Sequence, residues 1–302
     1  MSVDSLLLDR PIIWSPDPQR ADSSALTTFQ RSAERGFGRV LKDYAALYEW
    51  SIEHPGEFWP HLLQHLGVIG DGAHLPSWVE SGVNPMLGRW FPAFSLNFAE
   101  NLLRNPNDTP ALIFWGEGRV VREISRRTLR IHAGAVAHFL LSHGAQPGDR
   151  VAAVVANTPE TVACALGTAW IGATWSSCSP DFGAEATFDR FEQLAPRVLV
   201  ASDRYLHKGA WIDCLPKIVE LAARLPSVER LVILPYSGDP SEQGTPAASK
   251  PIHRYIEIVQ SNGTAPLFQR FPFAHPLFIL FSSGTTGKPK GIIHSTGGHL
   301  LE

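Results

Sequence analysis

The chain has little that would mark it for nucleic acid, a membrane or an oxidising compartment. Its 26 basic and 29 acidic residues leave a net charge of −3, so no basic surplus exists to neutralise a phosphate backbone or an anionic bilayer. No apolar run approaches the roughly 20 residues needed to span a bilayer. The start, Met1-Ser-Val-Asp-Ser-Leu-Leu-Leu-Asp9, lacks the basic region of a signal peptide and is poor in Arg and Lys for a transit peptide. The three cysteines, Cys164, Cys178 and Cys214, are widely spaced and match neither a zinc pattern nor a disulfide framework. They read as structural residues of a protein in a reducing, cytoplasmic setting. The 12 histidines are scattered, without His-Glu-x-x-His or a comparable spacing, so no metal site is expected from spacing. No internal repeat or long low-complexity tract is present.

What is present is apolar bulk. With 44% apolar and 18% charged residues over 302 positions, one large or two ordinary domains with a buried core are expected. Residues 1–40 read as an irregular N-terminal segment, because Pro11, Pro16 and Pro18 disfavour helix interiors. Residues 41–98 form a second region. Its aromatics, Tyr44, Tyr48, Trp50, Phe58 and Trp59, fall with Leu47, Ile52, Leu62, Leu63 and Leu66 on helical spacings, which predicts a small packed helical cap. The Gly/Pro/Asn stretch Gly82–Gly88 marks a boundary zone, and residues 99–302 form the third region.

There an alternation begins. Ala111–Trp115 and Arg119–Arg122 flank Gly116-Glu-Gly118 and predict a hairpin. Ser125 is placed to cap a helix carrying Leu129, Ala133, Val136, Ala137 and Leu140, closed by Gly144, with Arg126 and Arg127 on its exposed face. Strand Arg150–Val155 follows Pro147-Gly148, and Thr158-Pro159 starts a helix that ends at Gly172. Strands at Thr174–Ser177, Val198–Ala201 and Leu231–Leu234 alternate with helices at Glu185–Leu194 and Ile212–Leu225. Ser237–Lys250 reads as a surface loop. The fold class is therefore α/β, a parallel sheet flanked by helices.

The densest chemical signal is Phe281-Ser-Ser-Gly-Thr-Thr-Gly-Lys-Pro-Lys-Gly291. Gly284 and Gly287 allow backbone N–H groups to approach phosphate oxygens. Ser282, Ser283, Thr285 and Thr286 add hydroxyl donors, and Lys288 and Lys290 add positive charge. A Walker-type loop would need glycine at 282 and Ser or Thr at 289, where Ser282 and Pro289 stand. A bland turn needs neither the hydroxyls nor the lysines. The remaining reading is a phosphate-binding hairpin loop between strands Leu277–Ser282 and Gly291–Ser295. His294 either touches a substrate or sits at a strand end in the core.

This loop resembles the signature loop of the adenylate-forming enzymes: acyl-CoA synthetases, luciferases and peptide-synthetase adenylation domains. Trp50-Ser51, Phe58-Trp59, Trp90-Phe91, Leu96-Asn-Phe-Ala-Glu-Asn-Leu-Leu103 and His294-Ser-Thr-Gly-Gly298 resemble the acetyl-CoA-synthetase-like division of that family. Ile171-Gly-Ala-Thr-Trp-Ser-Ser-Cys-Ser-Pro-Asp-Phe-Gly183 and Phe273–Gly284 are similar to its acetoacetate-activating branch. Taken without the resemblance, Ser176–Gly183 is a strand-to-helix loop with Asp181 near a helix start.

The resemblance implies the N-terminal part of the family's large domain, preceded by the helical cap and shorter than the family's chain. It implies ligation of acetoacetate to coenzyme A with ATP and Mg²⁺, through an acyl-adenylate. Ser282–Lys288 and Lys290 would hold the triphosphate, and Lys208 would lie near the coenzyme A nucleotide, although a surface lysine fits that position equally. No catalytic residue is expected within the chain: the acyl pocket, the ATP and ribose motifs and the adenylation lysine would follow Glu302. The expected partners are small molecules, with no nucleic acid and no membrane. Another short-chain acid as substrate, and a non-catalytic nucleotide-binding module, remain open as alternatives.

Overall fold

Pro18 starts a helix instead of blocking one. In the computed structural model it occupies the first turn of α1 (Pro18–Asp22), where its missing N–H costs no hydrogen bond, and Asp17 caps the helix by accepting from Gln19 N and Arg20 N. A second helix, α2 (Ala25–Phe37), is capped by Ser24. Residues 18–37, expected to be irregular, are thus mostly helical. The structure describes residues 13–80, 88–117, 121–238, 246–261, 263–282 and 287–302.

Two compact units, Met1–Val68 and Ile69–Glu302, make up the chain. In the first, α3 (Tyr44–Glu53) and α4 (Pro55–His65) follow α2. Phe29, Ala33, Leu41, Leu47 and Trp50 form the core, with Phe58 and Leu62 packed against it. Phe29 meets Phe58 edge to face at 5.5 Å, and the Trp50 indole N–H donates to Glu57 at 3.2 Å. The expected helical region therefore exists as a packed aromatic cluster. Ile52, Tyr44 and Tyr48 are exposed rather than packed.

The second unit opens with short strands: β1 (Gly70–Gly72), β2 (Trp78–Val79), β3 (Arg89–Trp90) and β4 (Phe94–Leu96). Then come α5 (Phe98–Leu102), β5 (Pro110–Trp115), β6 (Val121–Ser125), α6 (Arg126–Ser142), β7 (Arg150–Val154), α7 (Pro159–Trp170), β8 (Thr174–Cys178), α8 (Ala184–Leu194) and β9 (Val198–Ser202). The chain continues through β10 (Arg204–His207), β11 (Ala210–Asp213), α9 (Leu215–Arg224), β12 (Arg230–Leu234), β13 (Ile252–Arg254) and α10 (Tyr255–Gln260). It closes with β14 (Phe271–Pro272), β15 (Pro276–Ser282), β16 (Lys290–Ser295) and α11 (Thr296–Leu301).

Seven strands form the main sheet in the order β13-β12-β9-β7-β8-β15-β16. All neighbours are parallel except the edge pair β15–β16. Along β7, side chains alternate between two cores, as the period of two requires. Val151 and Ala153 join the cluster that holds α6, α7 and α10 residues. Ala152 and Val154 join the one built with α8 and α9. Both faces are covered, which is why the central strands read as unbroken apolar runs. The expected α/β fold is present, and β5–β6 is the expected hairpin.

One helix starts later than expected. The sequence predicts a helix from Ile212, but Ala210–Asp213 is β11, paired antiparallel with β10. Pro216 explains this: it lacks an N–H and is tolerated only in a helix's first turn. Hence α9 starts at Leu215, whose N–H is accepted by Asp213 Oδ1 at 2.9 Å.

Candidate nucleotide-phosphate site

The candidate loop is carried by β15 and β16, whose antiparallel register pairs Phe281 with Gly291 and Ser282 with Lys290. The register delivers the entering hydroxyl and the leaving ammonium to the same rung. Of the expected phosphate ligands, Ser282, Gly287, Lys288 and Lys290 are described and exposed, while Ser283, Gly284, Thr285 and Thr286 lie outside the described residues. Gly287 has φ +99°, a conformation that disfavours any side chain. A Cβ there would meet no atom within 4 Å, so the demand is conformational and not steric. Neither Lys288 nor Lys290 forms an ion pair among the described residues. Two exposed, uncompensated ammonium groups beside a hydroxyl suit a polyanion.

Residues distant in sequence position this hairpin. Ser176, fully buried on β8, donates from Oγ to the Ile279 carbonyl at 2.6 Å. That bond reinforces the junction between β8 and β15, where Phe278 pairs with Trp175. On the leaving side, Gln193 on α8 donates its amide to the Pro289 carbonyl at 3.2 Å. The spacing of the loop motif gives no hint of either contact. The stretch after β8 is an ordered turn: Ser179 Oγ donates to Asp181 at 2.9 Å, and Lys217 Nζ donates to the Pro180 and Phe182 carbonyls. Hydrogen bonds from Tyr205, and then from Ser179, hold the Asp181 carboxyl below its ordinary range. Burial, with Asp181 beside it, pushes the Tyr205 phenol up to about 12.

Lys208 sits on a different sheet. It is exposed at the β10–β11 turn with φ +52°, and the next residue donates its N–H to Glu117 at 3.1 Å. Positive φ is uncommon away from glycine and marks a tight turn. His294 is half-buried at the end of β16, its ring 5.7 Å from that of His299. The segment from Leu96 to Leu103 works as a bracket. The Asn97 amide donates to the Trp170 and Gln269 carbonyls, each at 2.8 Å, and Glu100 takes a bidentate pair from Arg270 at 2.9 Å. All three thiols are free. Burial raises the Cys164 thiol far above its ordinary range, Cys178 to about 11 and Cys214 to about 12, so none is an activated nucleophile.

The candidate loop, carried by an antiparallel edge hairpin of an α/β sheet, is accompanied by a family match. Residues 98–301 match the model of the AMP-binding enzymes. The chain belongs to that family. Acetoacetyl-coenzyme A synthetase of Rhizobium meliloti (strain 1021) is 40% identical over 295 residues, 97% of this chain and 44% of the relative. Malonamoyl-CoA synthetase of Penicillium aethiopicum is 31% identical over 301 residues, 96% of this chain and 41% of the relative. Among solved structures, acetoacetyl-CoA synthetase from Streptomyces lividans superposes with a TM-score of 0.86 at 32% identity, over 97% of this chain and 44% of the other. The chain thus spans less than half the length of these relatives. No helix among the described residues is long and apolar enough to cross a membrane.

Proposed function

We propose that this chain supplies the triphosphate-holding part of an ATP-dependent acetoacetate–CoA ligase. The observation that supports this best is the 40% identity, along 97% of the chain, to an acetoacetyl-coenzyme A synthetase. In that reaction a carboxylate oxygen of acetoacetate attacks the α-phosphorus of ATP. The bond to the bridging oxygen breaks, and pyrophosphate leaves with its electron pair. The coenzyme A thiol, giving up its proton, then attacks the acyl carbon and AMP leaves.

The role of this chain is positioning and charge stabilisation. Ser282, Ser283, Thr285 and Thr286 donate hydroxyls to the β- and γ-phosphates. Lys288 and Lys290 offset the charge that builds on the leaving pyrophosphate. The donor set suits phosphate oxygens and contains no carboxylate, so Mg²⁺ would be held here through the nucleotide, where it would neutralise phosphate charge. Lys208, on its exposed turn, is assigned to the coenzyme A nucleotide. No residue of this chain is assigned a covalent or acid–base role, and the free thiols are consistent with a cytoplasmic protein.

Acid-dependent pyrophosphate release by the natural gene product that carries this chain tests the reading. Release with acetoacetate supports it, and a preference for acetate overturns the branch assignment. Nucleotide binding without any acid-dependent release would favour a non-catalytic nucleotide-binding module.

A further inference from the structure

Beyond the phosphate loop, β16 runs into α11, and three potential metal ligands converge at that junction. The ligand atoms of His294, His299 and Glu302 all lie within 4.8 Å of one another. His299 Nδ1 stands 3.3 Å from Glu302 Oε2, yet it is shielded from solvent and makes no hydrogen bond among the described residues. The ring nitrogen thus faces a carboxylate without hydrogen-bonding it, and an ion bound between the two would satisfy both. With bonds of about 2.0–2.2 Å, neighbouring ligand atoms of a tetrahedral zinc ion stand about 3.4 Å apart. The His299–Glu302 pair already has that spacing.

The histidine is also oriented in advance. Its ring packs on Phe98 at 6.0 Å and edge-on to Phe278 at 5.0 Å, and Phe278 is the cross-strand partner of His294. Two neutral imidazoles and one carboxylate form a donor set suited to zinc, with a fourth position left for water.

We propose that His294, His299 and Glu302 form a zinc site that clips the end of β16 to α11. The site is independent of the acyl-CoA reading. Spacing alone gives no expectation of it, because only His299 and Glu302 stand three apart at one helix end, while His294 belongs to the preceding strand.

Calorimetric titration of the chelator-treated 302-residue chain with zinc, and a cobalt(II) absorption spectrum, test the proposal. One ion per chain is expected, with a four-coordinate cobalt spectrum that lacks a thiolate charge-transfer band. Changes in outer partners already weaken metal sites by about 10–100-fold, so each of His294→Asn, His299→Phe and Glu302→Gln should weaken zinc binding by at least about tenfold. His299→Phe keeps an aromatic ring against Phe98 and Phe278. Glu302 is exposed, so Glu302→Gln decides the question even where the histidine variants fold poorly. No zinc uptake, uptake unchanged by Glu302→Gln, or a thiolate band would each overturn the proposal.

Discussion

Replacing Ser176 by alanine probes how the β15–β16 hairpin is held. The hydroxyl is fully buried and donates to the Ile279 carbonyl over 2.6 Å. Losing it removes a net bond of about 1 kcal/mol and leaves the carbonyl of half-buried Ile279 less well satisfied, for a total of about 1–2 kcal/mol. The neighbouring Ser177 points to the opposite face of β8 and is exposed, so Ser177→Ala should stay within about 0.5 kcal/mol of the parent. For a unit of this size, Ser176→Ala should lower Tm by roughly 2–8 °C in a thermal melt. ATP affinity, measured by calorimetry, should weaken as well, because Ile279 lies three residues before Ser282 on β15. Ser177→Ala should do neither. Equal melting temperatures for the two alanine variants would refute the reasoning.

Lys288→Ala and Lys290→Ala should each weaken ATP binding about three- to tenfold in the same calorimetric assay without moving Tm, since both side chains are exposed and screened. Gly167→Ala sets helix propensity against packing: the new Cβ would lie 2.7 Å from Val136 Cβ and 2.8 Å from the Ala133 carbonyl. The propensity gain of about 0.5–1 kcal/mol is smaller than the roughly 1–3 kcal/mol of overpacking, so Tm should fall; a rise would show that α6 and α7 part easily. His132 is held below its ordinary 6.5, mainly by burial and against the opposing charge of Glu160. The unfolded chain therefore binds more protons below pH 6.5, and stability, full above that pH, declines as the pH falls. His132→Asn should flatten the acid limb of a Tm-against-pH curve by up to one proton, about 1.4 kcal/mol per pH unit, whatever the variant costs by losing the Tyr255 hydroxyl contact.

The parallel sheet was legible because its punctuation is local. Ser125 caps α6 and accepts from Thr128 N, and Pro159 occupies the first helical turn after Thr158. The apolar run Val151–Val154 is buried on both faces. The same punctuation misled where proline had two meanings. Pro18 reads as a block and acts as a helix start. Pro216 sits in a helical pattern that it delays to Leu215. At the candidate site the loop was legible because glycine, hydroxyl and lysine cluster within a few residues. Its supports were not, because Ser176 and Gln193 reach it across 103 and 96 residues of chain. Spacing cannot show a contact that only the sheet order creates.

The two ends of the loop are restrained unequally, and this orders the importance of its parts. The entering strand, β15, lies inside the seven-stranded sheet between β8 and β16 and is fixed by a hydroxyl that water does not reach. The leaving strand, β16, is an edge strand with Ile292 and Ile293 exposed. The bond from Gln193 to Pro289 is solvent-exposed, so water can replace much of what it contributes. On the proposed reading, a phosphate bound at this loop would be referenced to β15, with Lys288 and Lys290 reaching it from the other side. Lys288 and Lys290 lie on the edge-strand side of the loop, where long side chains tolerate movement. The hydroxyl of Ser282 sits on the rigid side, where its short reach needs a fixed backbone.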